Sequence, residues 1–181
     1  MNIPNLLSIF RIFITIFFIL AVHKDRFMVG FYLFIFQGLT DALDGFLARV
    51  MSKKTDLGAF LDPIADKTML VAGFVMLSIK GIIPLWLTVL VILKDVVVVT
   101  GFLALYKLAY TVKPVPSVFG KITTTCQIVT VLYFLWSGSR AYGDVFFYVT
   151  AFFTTLSGLH YVFVGIRMLR SEKISQSATG N

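Results

Sequence analysis

Five of the nine acidic residues in this chain fall in one stretch: Asp41, Asp44, Asp56, Asp62 and Asp66. Their spacing is helical. Asp41, Asp44, Gly45, Ala48 and Arg49 recur at i, i+3, i+4, i+7 and i+8, which is one face of a helix at about 100° per residue. Gly58, Asp62 and Asp66 recur at every fourth position and share one face of a second helix, with Thr55 on the same face ahead of them. Residues 50–54, which include Ser52, Lys53 and Lys54, read as a short turn between the two. Two antiparallel helices of this kind would aim four carboxylates at one another. Four carboxylates cannot all stay ionised in a partly dry site, so either some take up protons or cations lie between them. No histidine or cysteine joins the cluster. An all-oxygen donor set suits the hard ions Mg²⁺ or Mn²⁺, and Ca²⁺ less well. Two carboxylate pairs on two helices suit a two-metal centre acting on a phosphate group.

The ordinary explanation of acidic residues at helical spacing is a solvated face. The composition argues against it here. Hydrophobic residues make up 58% of the chain and charged residues 14%, against about 25% charged in a soluble domain. Mean hydropathy is +0.90. The flanks of the acidic stretch are nearly continuous apolar runs, and carboxylates inside or beside membrane helices are expensive and mark sites. The net charge of +7, in a chain this apolar, belongs at the membrane surface and not on a nucleic acid. One cysteine, Cys126, excludes an intrachain disulfide. The expected fold is an all-α integral membrane protein of six transmembrane helices with a short N-terminal interfacial segment. A single domain is expected over 1–170, with a flexible polar tail over 171–181.

Taken in order, the spans that must position the acidic stretch are 3–22, 27–39 running on as helix into Asp41, a third from Thr55 or Asp56 (either of which could cap it) to Ile79, then 84–105, 118–136 and 145–168. The first has neither a clear basic leader nor a small-residue cleavage site, so it is expected to be retained. Pro63 either kinks the third helix or marks its first turn. Asn5, Ser8 and Arg11 lie at i, i+3 and i+6 and read either as a polar stripe or as an interfacial lead-in. Lys94 and Asp95 sit mid-span, where a charged pair should face the bundle interior, as a structural ion pair or as part of a site. Lys121 opens the fifth span, as an anion-binding cation or a snorkelling interface lysine. His23 reads as a loop residue and His160 as a packing histidine. With the N-terminus in the cytoplasm, Arg49, Lys53, Lys54, Lys107, Lys113, Arg167, Arg170 and Lys173 fall inside, and Lys24, Arg26, Lys80 and Arg140 outside. Eight against four places both termini and the acidic stretch at the cytoplasmic face.

The acidic stretch resembles the signature of the CDP-alcohol phosphatidyltransferases, D-x2-D-G-x2-A-R-x8-G-x3-D-x3-D. All eight specified positions match: Asp41, Asp44, Gly45, Ala48, Arg49, Gly58, Asp62 and Asp66. The resemblance implies transfer of a phosphatidyl group from CDP-diacylglycerol to an alcohol, with release of CMP. It implies two ions, Mg²⁺ or Mn²⁺, held by Asp41, Asp44, Asp62 and Asp66, with Asp66 nearest the acceptor hydroxyl and its general base. It places the nucleotide diphosphate by Asp44, Gly45, Arg49, Thr55 and Gly58, the glycines leaving room against the helix backbones. It further implies a homodimer in a cell membrane, the bacterial inner membrane. Beyond the signature it extends to the opening segment, to PLWL…KD and to GKITTTCQ, and points to two kinds of member: one uses glycerol-3-phosphate and the other uses phosphatidylglycerol to make cardiolipin. A phosphomonoester acceptor suits Asn5, Ser8, Arg11, Lys94 and Lys121. Lys94 stands where relatives usually have arginine, and Thr123 where glycerol-3-phosphate-using relatives usually have a second lysine, which leans toward cardiolipin. Glycerol-3-phosphate is the preferred reading; inositol phosphate and serine rank lower. A rival of another class, a non-enzymatic membrane protein that binds divalent cations, accounts for the carboxylates but not for Gly45, Ala48, Arg49 and Gly58.

Overall fold

In this computed structural model, the backbone is described for residues 3–51, 56–109, 118–138 and 143–179, and side chains for residues 10–40, 67–101, 118–138 and 143–167. Every element is helical: α1 (Ile3–His23), α2 (Phe27–Met51), α3 (Asp56–Ile79), α4 (Leu85–Ala109), α5 (Val118–Ser137) and α6 (Gly143–Thr179). Among the described residues, Val118–Ser137 and Gly143–Arg167 are long and apolar enough to cross a membrane, and Phe10–His23, Phe27–Thr40 and Lys67–Ile79 form shorter apolar stretches.

Two helices run well past the ends read from the sequence. α4 runs to Ala109, so Lys107 is helical where a loop was expected from Tyr106 onward; 110–117 lie outside the described residues. The segment LALYKLA is built of strong helix formers with no breaker before Pro114. α6 continues past Met168 to Thr179 and takes in most of the segment read as a polar tail. Pro63 is the eighth residue of α3, inside the helix and not in its first turn.

The chain forms two compact units. The first comprises Met1–Thr88 and Ile128–Gly143. Here α1 packs against both α2 and α3. Ile14, Phe18 and Val22 recur at i, i+4 and i+8 on α1 and are buried, together with Phe34 of α2 and Phe74 and Leu77 of α3. The Phe18 and Phe34 rings stand 6.0 Å apart, tilted at 52°. Two glycines permit close helix approach. A β-carbon at Gly73 would lie 2.9 Å from Val131 Cγ1, and one at Gly30 would lie 2.9 Å from Val22 Cγ2. Small residues at such crossings let helices pack without a hydrophobic drive from water.

α1 and α3 end alike. At the end of α1, Asp25 adopts φ 59°, the Asp25 amide donates to the Val22 carbonyl at 3.0 Å and the Arg26 amide to the Ala21 carbonyl at 2.9 Å. At the end of α3, Gly81 adopts φ 72°, and the Gly81 and Ile82 amides donate to Ser78 and Leu77 at 2.9 Å each. Both are Schellman caps, the left-handed position filled once by glycine and once by aspartate. Lys80 ties the two ends together. Its Nζ donates to the His23 carbonyl at 2.7 Å and lies 2.6 Å from Asp25 Oδ1.

The second unit comprises Val89–Gln127 and Asp144–Asn181. Its interior is polar. Lys94, Asp95, Thr123, Gln127, Thr150, Thr154 and Ser157 are all buried. α5 and α6 meet along a seam of hydroxyls. Thr123 Oγ1 lies 2.8 Å from both the Phe119 and Phe153 carbonyls, Gln127 Nε2 donates to Thr154 Oγ1 at 3.3 Å, and Thr150 Oγ1 reaches the Cys126 carbonyl at 3.5 Å. Hydroxyl and amide contacts of this kind are the usual glue between helices in an apolar setting.

Candidate functional site

The four aspartates divide between two helices of the first unit. Asp41 and Asp44 lie on the C-terminal half of α2, with Gly45, Ala48 and Arg49 on the same turn and the next; Asp62 and Asp66 lie on the N-terminal half of α3, with Gly58 one turn earlier. Both helices form as the spacing predicts. The side chains of these residues lie outside the described residues, as do Thr55 and the side chains of Asn5 and Ser8. The donor chemistry fits a hard divalent cation: four carboxylates and no nitrogen or sulfur ligand on either helix face. Among the described residues no group of three or more His, Cys, Asp or Glu side chains is placed to hold a metal.

The common neighbour of α2 and α3 is α1. Its N-terminal half carries buried polar groups. Arg11 is 2% exposed, and Thr15 Oγ1 donates to the Arg11 carbonyl at 2.9 Å. A guanidinium buried to this degree is expensive and marks a site by the same argument as the carboxylates. Across from it on α2, Gln37 is buried and its Oε1 lies 3.4 Å from Thr15 Oγ1. Thr40 Oγ1 donates to the Gln37 carbonyl at 2.8 Å. Sequence reasoning singled out Arg11 and passed over Thr15 and Gln37. The available signal was Gln37 itself, an amide in the otherwise apolar run FYLFIFQGL, one helical turn before Asp41.

The other two basic candidates belong to the second unit and differ from each other. Lys94 is buried and its Nζ lies 2.8 Å from Asp95 Oδ1, with side-chain exposures of 7% and 10%. Its stem crosses α6 at Gly158, where a β-carbon would stand 3.5 Å from Lys94 Cγ. The pair thus faces the interior of its unit. Lys121 is exposed in the first turn of α5. Thr123, at the position read as a missing lysine, is fully buried and spent on the α5–α6 seam. The His160 ring packs 5.2 Å from Phe119, tilted at 55°, as a packing histidine would. His23 ends α1 and is exposed.

Comparison with known proteins bears on the same residues. The family model described as CDP-alcohol phosphatidyltransferase matches residues 1–156. A protein of Wigglesworthia glossinidia brevipalpis named CDP-diacylglycerol–glycerol-3-phosphate 3-phosphatidyltransferase is 30% identical over 93% of this chain and 97% of its own. Proteins of the same name from Haemophilus influenzae and Aquifex aeolicus are 32% and 34% identical, over 89% and 68% of this chain and 91% and 70% of theirs.

Proposed function

The chain belongs to the CDP-alcohol phosphatidyltransferase family, and from that premise we propose that it moves the phosphatidyl group of CDP-diacylglycerol onto glycerol-3-phosphate. The observation that carries the acceptor is the set of relatives whose name specifies it, aligned over most of both chains. Thr123 does not oppose it. That residue is fixed by helix packing, so its not being lysine says nothing against a phosphorylated acceptor.

In the proposed reaction an acceptor hydroxyl oxygen forms a bond to the phosphatidyl phosphorus. The bond from that phosphorus to the CMP oxygen breaks, and CMP leaves with the bonding pair. The hydroxyl proton passes to the Asp66 carboxylate, the acceptor-side base. Asp41, Asp44, Asp62 and Asp66 hold two Mg²⁺ or Mn²⁺ ions, which when bound supply charge neutralisation at the diphosphate. Arg49 pairs with diphosphate oxygens through its two-pronged guanidinium. Gly45 and Gly58 leave room for the nucleotide against the backbones of α2 and α3, flanked by Asp44 and Thr55. Asn5, Ser8, Arg11, Lys94 and Lys121 are assigned to the acceptor.

The proposed setting is a bilayer crossed by six helices, with both termini and the aspartates at the cytoplasmic face and the chain paired as a homodimer. Residues 1–170 act as one membrane domain. The test is CMP release by purified protein in detergent with CDP-diacylglycerol and Mn²⁺ or Mg²⁺, one acceptor at a time. Release with glycerol-3-phosphate is expected. Release only with phosphatidylglycerol would reassign the chain to cardiolipin synthesis. Metal binding without release under any acceptor would favour a non-catalytic cation-binding protein.

A further inference from the structure

Gln37 is a buried polar residue for which the reaction above has no use. It is 3% exposed. Its Oε1 faces Thr15 of α1, and its Nε2 meets no hydrogen-bond acceptor among the described residues. A buried amide donor left without an acceptor is costly, so the site should supply one. The helix register says where. Gln37, Asp41, Asp44 and Ala48 follow one another at i, i+4, i+7 and i+11 on α2, so the amide lies on the face that continues into the first two aspartates. Cα–Cβ bonds in a helix tilt toward its N-terminus, and a residue at i+4 therefore reaches back over residue i. Glutamine and aspartate at this spacing form one of the recognised side-chain pairs of helix surfaces.

We propose that Gln37 is a positioning residue: its Nε2–H donates to the Asp41 carboxylate, while its Oε1 rests against Thr15 of α1. The hydrogen bond fixes the Asp41 rotamer and leaves its remaining lone pairs to a divalent cation. This rests on the reading of Asp41 as a cation ligand. Hydrogen bonds that orient a metal-binding side chain are commonly worth 10–100-fold in metal affinity.

The test is Mn²⁺ binding by the full-length protein in detergent, without substrate, followed by electron paramagnetic resonance. Gln37→Met keeps the shape and removes the amide. It should weaken Mn²⁺ binding by about 10–100-fold without lowering the unfolding temperature of the metal-free protein, and its transfer activity should recover at saturating Mn²⁺. Gln37→Asn, one methylene too short to bridge, should weaken Mn²⁺ binding similarly and decides the matter should the Met variant fold poorly. Unchanged Mn²⁺ affinity in both variants overturns the proposal, as does an activity loss that saturating Mn²⁺ leaves in place. Asp41→Asn separates the two claims. If it loses Mn²⁺ while the Gln37 variants keep it, only the role of Gln37 fails. If it binds Mn²⁺ as the wild type does, the aspartate reading fails as well.

Discussion

Asp66 is the residue on which the chemistry turns, because it is asked both to hold a cation and to accept a proton. Asp66→Asn keeps the size and removes the base, so transfer should fall by about 10²–10⁴-fold or more while CDP-diacylglycerol still binds; near-normal turnover would remove Asp66 from that role. The Lys94–Asp95 pair makes a different prediction. Lys94→Ala takes away the cation beside a carboxylate that is 10% exposed, and removing one partner of a buried ion pair costs about 3–5 kcal/mol. The double change Lys94→Met with Asp95→Leu should recover most of that stability in a detergent unfolding experiment, yet leave KM for glycerol-3-phosphate raised. If the double variant binds the acceptor normally, the pair is structural only. At this scale the sequence was informative wherever a charge stood in an apolar run: the aspartates, Arg11 and Lys94 were all visible. It marked Gln37 only as an amide in an apolar run and gave no hint that Thr123 is a packing residue, because a neutral polar side chain reveals its use only through the partner that tertiary packing gives it.

The helices themselves were largely legible, since apolar runs between turn residues mark them. Both Schellman ends fall where His23–Arg26 and Lys80–Pro84 break the apolar pattern. The misses came where local propensity outruns hydropathy. α4 and α6 continue as helix beyond their apolar runs, and a polar helical turn looks like a loop when hydropathy alone is read. The shared neighbour was hidden: the sequence reading set α2 against α3 and gave no sign that α1 packs on both. The α5–α6 seam yields the prediction that belongs to this scale. Thr123→Lys, which restores the lysine of glycerol-3-phosphate-using relatives, puts a long cation at a fully buried position and breaks the hydrogen bond to the Phe153 carbonyl. It should lower the unfolding temperature sharply and should not raise activity, whereas Thr123→Ser should keep both near wild type. A Thr123→Lys protein that is stable and faster would mean that the position faces the acceptor after all.

For the whole molecule, composition pointed to a bilayer, in a chain 58% hydrophobic with five of its nine acidic residues in one stretch, and the motif pointed to the chemistry. The division into two units left no mark in the sequence, because it cuts α4 after its first turn and α5 in mid-helix. The lysine and arginine distribution, eight against four, predicts that in a Cys126→Ser background a cysteine at position 24 reacts with an impermeant thiol reagent from outside the cell and one at position 173 does not; the reverse pattern would invert the topology and move the aspartates away from the nucleotide-linked substrate. The most direct test of the central claim is the fate of labelled glycerol-3-phosphate given to the purified protein with CDP-diacylglycerol and Mn²⁺. The account predicts label in a chloroform-soluble phospholipid in equal amount to the CMP released, and none in Asp66→Asn. CMP release with the label left wholly in the water layer would contradict it.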